Sequence, residues 1–260
     1  MKNIIALFLR EFKSYFISPI AYVVLTMFLI ITGYFFYANL SVFLDYMTNM
    51  MAQAQYYRQL PPPVDVNDYV IMPLFHNFSI VLLFMLPMIT MRLFAEEKKT
   101  MTIELLMTSP LTTVQTVLGK YLAALALFIV MLLPTVIYFI IIGIYGNPEL
   151  YPIITSYLGL FFLGASLMAI GLLISSLTEN QIIAAAVTFG IYLLLWTIGW
   201  MASFTGPKLA AVINYLSIIN HFNDFTRGVF DTKHILFYLS FAFFGLYLTY
   251  RSVESIRWRV

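Results

Sequence analysis

The sequence predicts an all-α integral membrane protein with six transmembrane helices, preceded by an N-terminal amphipathic helix at the membrane interface. Hydrophobic residues make up 62% of the 260 residues and charged residues only 10%, whereas soluble domains average roughly 45–50% and about 25%. Six apolar segments are long enough to span a bilayer, and the charged residues fall between them or at their edges. Such a chain has too few polar groups to cover its own surface, so lipid is its solvent.

Residues 1–18 form the first unit, which we interpret as an amphipathic helix in the headgroup plane. Apolar side chains such as Leu7 and Phe8 alternate with Arg10 and Lys13 at roughly helical spacing. A plain helical extension of the first span is the alternative. Pro19 then suits the first position of the next helix, where a missing N–H costs nothing.

Residues 19–260 are interpreted as one six-span domain. At ~1.5 Å per residue, each apolar segment reaches about 25 Å or more, which is near or above the thickness of the hydrocarbon layer. Pro87 and Pro134 fall inside the second and third segments, where we expect kinks. The segments are residues 19–40, 73–94, 116–145, 153–177, 181–203 and 234–250.

The basic residues place both termini in the cytoplasm. In that orientation ten of the 14 Lys and Arg residues lie inside and four outside, as the positive-inside rule requires. Trp196 and Trp200 then reach the outer interface, and Trp258 the inner one. The inner basic residues are Lys2, Arg10, Lys13, Arg92, Lys98, Lys99, Lys120, Arg251, Arg257 and Arg259, and the outer ones are Arg58, Lys208, Arg227 and Lys233.

The first outer loop, residues 41–72, contains a stiff connector of three prolines at 61–63. Met47, Met50 and Met51 recur there at helical spacing. Two interpretations remain open for them, namely a soft-metal site for copper and the packing face of a helical extension of the first span.

The second long outer loop, residues 204–233, predicts a short helix with one apolar face. Its opposite face is polar, and Arg227 is spaced to pair with Asp224 and with Asp231. This helix either lies flat in the interface or dips back into the protein, because polar backbone is tolerated at depth only against protein or water. The apolar stripe consists of Tyr215, Ile218, Ile219, Phe222, Phe225 and Val229, and Asn220 belongs to the polar one.

A polar interruption at residues 95–120 separates the second and third spans. Thr100 is expected to cap a short helix that ends at Ser109–Pro110. Thr112 and Gln115 then match the Thr-x-x-Gln capping box at the start of the next long helix. A solvated loop that only satisfies topology is the alternative interpretation of this stretch.

The residues of this interruption resemble the cytoplasmic coupling segment of type-2 ABC export permeases. The shared pattern is an acidic-basic cluster, a Thr, a Glu, two leucines and a Ser-Pro, which correspond here to residues 94–100 (FAEEKKT), 102–106 (TIELL) and 109–110 (SP). Residues 10–19 and 220–232 extend the resemblance over nearly the whole chain, and the gliding-motility-associated subgroup is the most similar. Met101 stands where the family usually has Gly. Because Gly adopts positive φ readily and Met does not, the sequence does not decide the backbone conformation of this turn.

The resemblance implies a permease subunit of an ATP-driven exporter in the cell inner membrane, with residues 95–110 as a short cytoplasmic coupling helix that docks a separate ATP-binding subunit. It also implies a second permease subunit, alike or different, and contact with membrane lipid. ATP would reach the complex only through the partner subunit, and no cofactor or metal is expected on this chain. The expected docking residues are Glu96, Glu97, Glu104, Leu105 and Leu106. The expected outer-gate residues are His221, Phe222, Asp224, Phe225, Arg227 and Asp231.

Other chemistry finds little support in the sequence. Gly119–Lys120 is the only Gly-Lys pair, but Val114 and Tyr121 replace the first glycine and the Ser/Thr of a phosphate loop. The three histidines are far apart in sequence, so we expect isolated structural residues, and no charged residue lies mid-span to relay protons. With no cysteine and a net charge of +2, thiolate sites and nucleic acid are not expected.

Two other functional classes remain open, a non-transporting scaffold or sensor and a membrane-embedded enzyme. Co-purification with an ATP-binding subunit and substrate-stimulated ATPase activity distinguish a transporter from both. The substrate is not specified by the sequence, although an uncharged path favours a lipid-like, polymeric or amphipathic molecule. The small residues of the fourth span, with pairs such as Ala165–Ala169 and Gly171–Ser175, favour internal packing over a dimer interface.

Overall fold

The computed structural model describes residues 2–58, 60, 64–108, 111–146 and 148–257. All regular structure in those ranges is helical. The prolines at 61–63, the Ser109–Pro110 stop, Trp258 and Arg259 lie outside the described residues, as do the side chains of Leu105 and Leu106. The α-helices are α1 (Lys2–Ile17), α2 (Pro19–Tyr57), α3 (Met72–Thr90), α4 (Ala95–Lys99), α5 (Ile103–Thr108), α6 (Thr113–Leu132), α7 (Val136–Tyr145), α8 (Leu150–Leu177), α9 (Gln181–Thr197), α10 (Pro207–Leu216), α11 (Ile218–Thr226) and α12 (Thr232–Arg257).

Six helical stretches of the described chain are long and apolar enough to cross a membrane, which confirms the predicted number of spans. Short irregular turns extend some α-helices, such as the π turn Asn67–Ile71 before α3 and the 3₁₀ turn Ile198–Phe204 after α9. The stretches are Pro19–Tyr57, Asn67–Lys99, Thr113–Tyr145, Leu150–Leu177, Gln181–Phe204 and Thr232–Arg257.

Helices α1 and α2 are separate because the chain turns at Ser18. Its backbone is extended (φ −84°, ψ 134°), its hydroxyl caps α2 by accepting from Ile20 N–H, and Pro19 occupies the first turn as predicted. Helix α1 packs along α6, where a Cβ built on Gly119 would lie 2.8 Å from Leu7 Cδ2. The N-terminal helix is therefore not a straight continuation of the first span.

The first span is much longer than the sequence prediction, since α2 continues to Tyr57 rather than ending near residue 40. No Gly or Pro occurs between Gly33 and residue 61 to stop it, and Tyr46 stacks on Tyr69 with ring centroids 5.0 Å apart. Much of the expected first outer loop is consequently helix. Met47, Met50 and Met51 lie on this extension, as one of the two interpretations expected.

Helix α8 is the centre of the packing. Its small residues admit neighbouring side chains at close range, so that a Cβ built on Gly164 would lie 2.3 Å from the ring of Phe128, and one on Gly171 would lie 2.3 Å from Thr90 Oγ1. Ala169 lies against Gly245 of α12 in the same way. The small residues thus serve packing within the chain, as expected.

The two predicted prolines act differently. Pro134 lies in a 3₁₀ turn, Leu133–Thr135, that separates α6 from α7. The Thr135 hydroxyl donates to Leu132 O at 2.6 Å and lies 2.7 Å from the Tyr157 hydroxyl, so the polar groups at this break find partners inside the protein. Pro87 lies in the last turn of α3, which ends at Thr90.

The turn between α4 and α5 is a Schellman motif with Met101 in the left-handed position. Thr102 N–H donates to Glu97 O at 3.0 Å and Met101 N–H to Lys98 O at 3.2 Å, the two bonds that define the motif. Met101 has φ +57°, a conformation that glycine adopts freely and that costs other residues roughly 1–2 kcal/mol. Thr100 ends α4 and bonds back to Glu96 O, so the expectation that it caps the following helix was wrong.

We expect Met101→Gly to raise the free energy of unfolding by about 1 kcal/mol, because it relieves the left-handed strain and Met101 is 72% exposed. For a chain of this size this corresponds to roughly 2–4 °C in the midpoint of thermal unfolding in detergent. Met101→Ala keeps the Cβ and is the matched control, with no gain expected. Equal midpoints for the two variants would contradict the strain.

Candidate coupling site and the histidine cluster at the opposite end

Helix α4 is attached to the end of α8 by one serine hydroxyl. Ser175 Oγ accepts from the N–H groups of Phe94 and Ala95 at 3.0 and 3.1 Å, and it lies 2.9 Å from Met91 O, to which it donates. Lys98 Nζ adds a bond to Ser176 O at 2.6 Å. The polar turn after α3 is therefore fixed to the membrane helices at its start. We call this side of the molecule the α4 end.

A buried ion pair joins α4 to α6. Lys120, 1% exposed, lies 2.8 Å from Glu97 and 3.4 Å from Glu11 of α1, and its ammonium group is 5.3 Å from the centre of the Phe94 ring. A buried ammonium needs such partners, because removal of one partner of a buried pair costs roughly 3–5 kcal/mol. The sequence placed Lys120 at a span edge, whereas it lies two turns inside α6 and is buried.

Glu97, one of the predicted docking residues, is paired within the chain. Its side chain is only 13% exposed, and besides Lys120 it faces Arg10 at 3.9 Å. Spacing within the segment gave no sign of this, because the cations belong to α1 and α6. Glu97 therefore positions α4 within the chain.

Glu96 and Glu104 remain on the surface. Glu96 is 42% exposed but receives two hydrogen bonds from Arg92, at 2.8 and 3.1 Å, and Arg92 also donates to Ser18 Oγ. Glu104 lies exposed on α5, and its carboxylate makes no ion pair within the described part of the chain. Of the three predicted acids, Glu104 is the one whose charge is free for a partner.

At the other end of the helices, the α11 end, the half-buried Asp224 and the buried His234 and His221 form a row. His221 Nδ1 lies 2.6 Å from His234 Nδ1, and His221 Nε2 lies 2.8 Å from Tyr215 O. His234 Nε2 in turn lies 2.8 Å from Asp224 Oδ2, although its N–H does not point along that line. Helices α11 and α12 are thus connected by a row that starts at Asp224 and ends at a backbone carbonyl.

The expectation that the histidines are isolated was wrong. His221 and His234 are both buried and in contact. His76 of α3 reaches α11 as well, with Nε2 2.7 Å from Asn223 Oδ1 and Nδ1 2.8 Å from Met72 O. Residues 13 and 147 positions apart in sequence meet here only because α3, α11 and α12 converge at this end.

Two apolar residues of the predicted gate are buried against neighbouring helices. Phe225 packs on α8, where a Cβ built on Gly159 would lie 2.6 Å from Phe225 Cβ, and Thr155 Oγ1 donates to Phe225 O at 2.8 Å. Phe222 packs edge-on to His76. Helix α11 therefore lies against the protein, and the predicted single amphipathic helix is divided at Ser217 into α10 and α11.

The expected ion pairs of Arg227 are not formed. Arg227 ends α11 and is exposed, without an ion pair to any described residue. Asp231 instead caps α12, accepting from Lys233 N–H at 3.0 Å and facing its ammonium at 3.1 Å, and these contacts lower the pKa of Asp231. The chain leaves the helix at Gly228 (φ +79°), so helical spacing no longer describes residues 227–231.

Ser175 and the His221–His234 contact were missed by sequence reasoning. A serine near the end of a small-residue helix gives no signal beyond packing, and the histidines share no motif. The buried ion pair of Lys120 did leave a signal in the sequence, because a lysine at the fifth position of the predicted third span needs an acidic partner.

Comparison with known proteins gives one match, which is to a family model. No curated protein matches the chain. The model of the family described as "ABC-2 family transporter protein" matches residues 5–249, nearly the whole chain. The match does not support the gliding-motility subgroup. With six membrane-spanning helices and a polar turn after the second of them, the chain belongs to the ABC-2 transporter family, whose members are the membrane components of ABC transporters.

Proposed function

We propose that this permease subunit exports its substrate across the cytoplasmic membrane with ATP hydrolysed by a separate subunit, which docks at residues 95–110. The observation that carries the proposal is the attachment of α4 to α8 and α6, with Glu104 exposed on the adjoining α5. The gliding-motility assignment is not part of the proposal.

The contacts of α4 provide a route for force into the spans. A push on α5 reaches α4 through the two hydrogen bonds of the Schellman turn. From α4 it passes to α8 through Ser175 and to α6 through Lys120. Helix α12 joins the same end, because Ser252 Oγ lies 3.0 Å from Ser176 Oγ. A short helix fixed in this way to α8 and α6 suits a subunit that receives mechanical work from another chain.

The chain itself shows no phosphate loop, so we assign ATP to the partner subunit. The Gly-Lys pair of the sequence lies within α6, where Lys120 is buried and already paired. It therefore has no reach to a nucleotide phosphate. The docking surface we propose consists of Glu104 with Leu105 and Leu106, in which the leucines anchor and the acid orients the partner.

A second permease subunit and the outer gate complete the proposal. Only 17% of the apolar window of the fifth stretch, Gln181–Phe204, is buried within the chain, which leaves an apolar surface for lipid or another subunit. Residues 218–226 lie between the ends of α8 and α12, a position suited to a gate at the outer side.

ATPase activity of the purified complex tests the function. The tagged full-length permease is purified in detergent from its own host and assayed for ATP hydrolysis, with Leu105→Asp/Leu106→Asp as the comparison. We expect ATP hydrolysis in the preparation that contains the wild-type permease. We expect none in the preparation of the double variant, although that variant still inserts into the membrane. A scaffold or a membrane enzyme would yield no permease-dependent ATPase activity.

The orientation is tested with single cysteines, since the natural chain has none. We expect an impermeant maleimide to label Lys208→Cys in intact cells, and Lys99→Cys only after the membrane is opened. Both positions are exposed, so access depends on the side of the membrane. Labelling of residue 99 in intact cells would reverse the proposed topology and place the coupling segment outside.

Charge reversal at two glutamates separates docking from folding. Glu104→Lys should leave the free energy of unfolding within about 0.5 kcal/mol of the wild-type value, because the side chain is exposed and makes no ion pair with the described residues. It should weaken pull-down of the ATP-binding subunit and make the pull-down more sensitive to salt. Glu97→Lys is the matched variant, and it should cost about 3–5 kcal/mol of stability because it places a second ammonium beside Lys120. Equal retention of the partner by Glu104→Lys and wild type at all salt concentrations would remove Glu104 from the docking surface.

A further inference from the structure

We propose that the 3₁₀ turn Ile198–Phe204 and helix α10 together form a lipid-binding element, which lies in the headgroup layer of the leaflet at the α11 end. We call residues 198–216 the α10 hairpin. The proposal rests on the exposure of the hairpin, its position beside the fifth span and its single charge. It goes beyond the proposed function and holds for either orientation of the chain in the membrane.

The α10 hairpin has no buried interior of its own. No residue of the 3₁₀ turn or of α10 is buried, although most residues of both elements are apolar. Phe204 is 90% exposed, Leu209 63% and Trp200 62%. Contact between water and an apolar surface of this extent is unfavourable. The exposure therefore indicates that another apolar phase covers the hairpin.

Helix α10 is amphipathic, and its apolar face points away from the protein. Leu209, Val212 and Leu216 recur at i, i+3 and i+7, so they share one face of the helix, and all three are exposed. Asn214 lies on the opposite face and accepts a hydrogen bond from Asn220 Nδ2 at 3.1 Å. The polar face thus has a partner within the chain, whereas the apolar face is left open.

The contact at the end of α10 shows that the helix runs back toward the membrane. A Cβ built on Gly199 would lie 2.7 Å from Oγ of Ser217, the residue that follows α10. Helix α10 begins three residues after Phe204 and ends beside Gly199. It therefore runs antiparallel to the 3₁₀ turn, along the end of the fifth span.

The length of the fifth span places α10 at the level of the lipid headgroups. The span begins at Gln181, and a hydrocarbon layer of about 30 Å takes ~20 helical residues, so this layer ends near Gly199. The 3₁₀ turn rises ~2 Å per residue, which puts Phe204 about 10 Å farther out. Headgroups add about 5–8 Å on each side of the hydrocarbon. Helix α10, which lies beside the turn, is therefore largely within the headgroup layer.

Lipid suits this surface better than a protein partner does. Successive side chains of a 3₁₀ turn diverge by about 120°, and the neighbours Trp200 and Met201 are both exposed. Exposed apolar side chains therefore point to more than one side of the hairpin, which a fluid leaflet covers and a single docked face does not. The surface also continues that of the fifth stretch, of whose apolar window only 17% is buried within the chain.

A single charge borders the apolar face. Lys208 is the only Lys, Arg, Asp or Glu between residues 182 and 223, and it is exposed, without an ion pair to a described residue. A lysine beside an apolar surface extends its stem along the lipid and places its ammonium group among the phosphates. Trp200 and Tyr215 carry amphipathic rings that favour the same layer. The ligands are therefore phospholipids, with acyl chains against the apolar face and phosphates at Lys208.

The leaflet then positions the first turn of α11. Helices α10 and α11 meet at the buried Ser217, whose hydroxyl accepts from Asn220 N–H at 3.4 Å. Tyr215 O lies 2.8 Å from His221 Nε2 of α11. A helix held in the headgroup layer therefore holds the start of α11 at a fixed depth.

Single spin labels measure the contact with lipid, since the natural chain has no cysteine. Val212→Cys on the apolar face and Ala211→Cys on the opposite face, both exposed positions, are labelled with a nitroxide. The full-length permease is reconstituted in vesicles of phosphatidylethanolamine and phosphatidylglycerol. Oxygen concentrates among the acyl chains, whereas a nickel chelate stays in water. We expect the ratio of oxygen to nickel collision rates to be several-fold higher at residue 212 than at residue 211, and equally high in Leu209→Cys and Leu216→Cys.

Two results of this experiment would overturn the proposal. Equal ratios on the two faces would place α10 in water. Shielding of the label at residue 212 from both reagents would show that a protein surface, such as that of a second permease copy, covers the apolar face.

Tryptophan quenching tests the 3₁₀ turn without a label. Trp196→Phe/Trp258→Phe leaves Trp200 as the only tryptophan of the chain. We expect lipids brominated near the headgroup end of the acyl chain to quench its emission more strongly than lipids brominated near the methyl end. Emission that neither lipid quenches, or stronger quenching from the methyl end, would contradict the headgroup position.

Discussion

The ion pair between Lys120 and Glu97 determines where the polar turn can lie. A membrane protein has little soluble surface, so a polar turn of this kind must be held by the spans themselves. Lys120 reaches Glu97 from inside α6, and Ser175 binds the backbone at the start of α4 from the end of α8. Without the ion pair, an ammonium group would lie buried among apolar side chains. The orientation of α5 therefore depends on a side chain that belongs to a transmembrane helix.

Helix α8 makes this arrangement possible because its small side chains let neighbouring helices pack close to its backbone. Glycines at 159, 164 and 171 let Phe225, Phe128 and Thr90 approach its backbone, and these three neighbours come from α11, α6 and α3. Close approach gains dispersion contacts that lipid cannot match, and in a bilayer such packing replaces the hydrophobic effect as the main attraction between helices. One helix thus connects the α4 end to the α11 end through direct contacts.

Sequence reasoning was accurate where the determinant is local or compositional. The six spans follow from hydropathy, and the Thr112–Gln115 capping box was confirmed because both partners lie within four residues. It failed where partners are distant. Helical spacing paired Arg227 with two acids that instead contact His234 and Lys233, and it gave no sign that Lys120 pairs with Glu97. Ion-pair choice depends on which helices meet, and hydropathy does not carry that information.

Burial decides how strictly the charges at the two ends of the molecule must be balanced. At the α4 end, Lys120 and Arg10 face Glu97 and Glu11 within 4 Å, which gives two positive and two negative charges. Low-dielectric surroundings penalise an unbalanced charge, so the buried Lys120 needs its two acids, whereas Arg10 is 65% exposed and lies at the edge of the cluster. The row at the α11 end is only partly shielded, because the Asp224 side chain is 37% exposed while both histidines are buried. Its carboxylate can therefore be solvated, whereas Glu97, which is only 13% exposed, depends on Lys120.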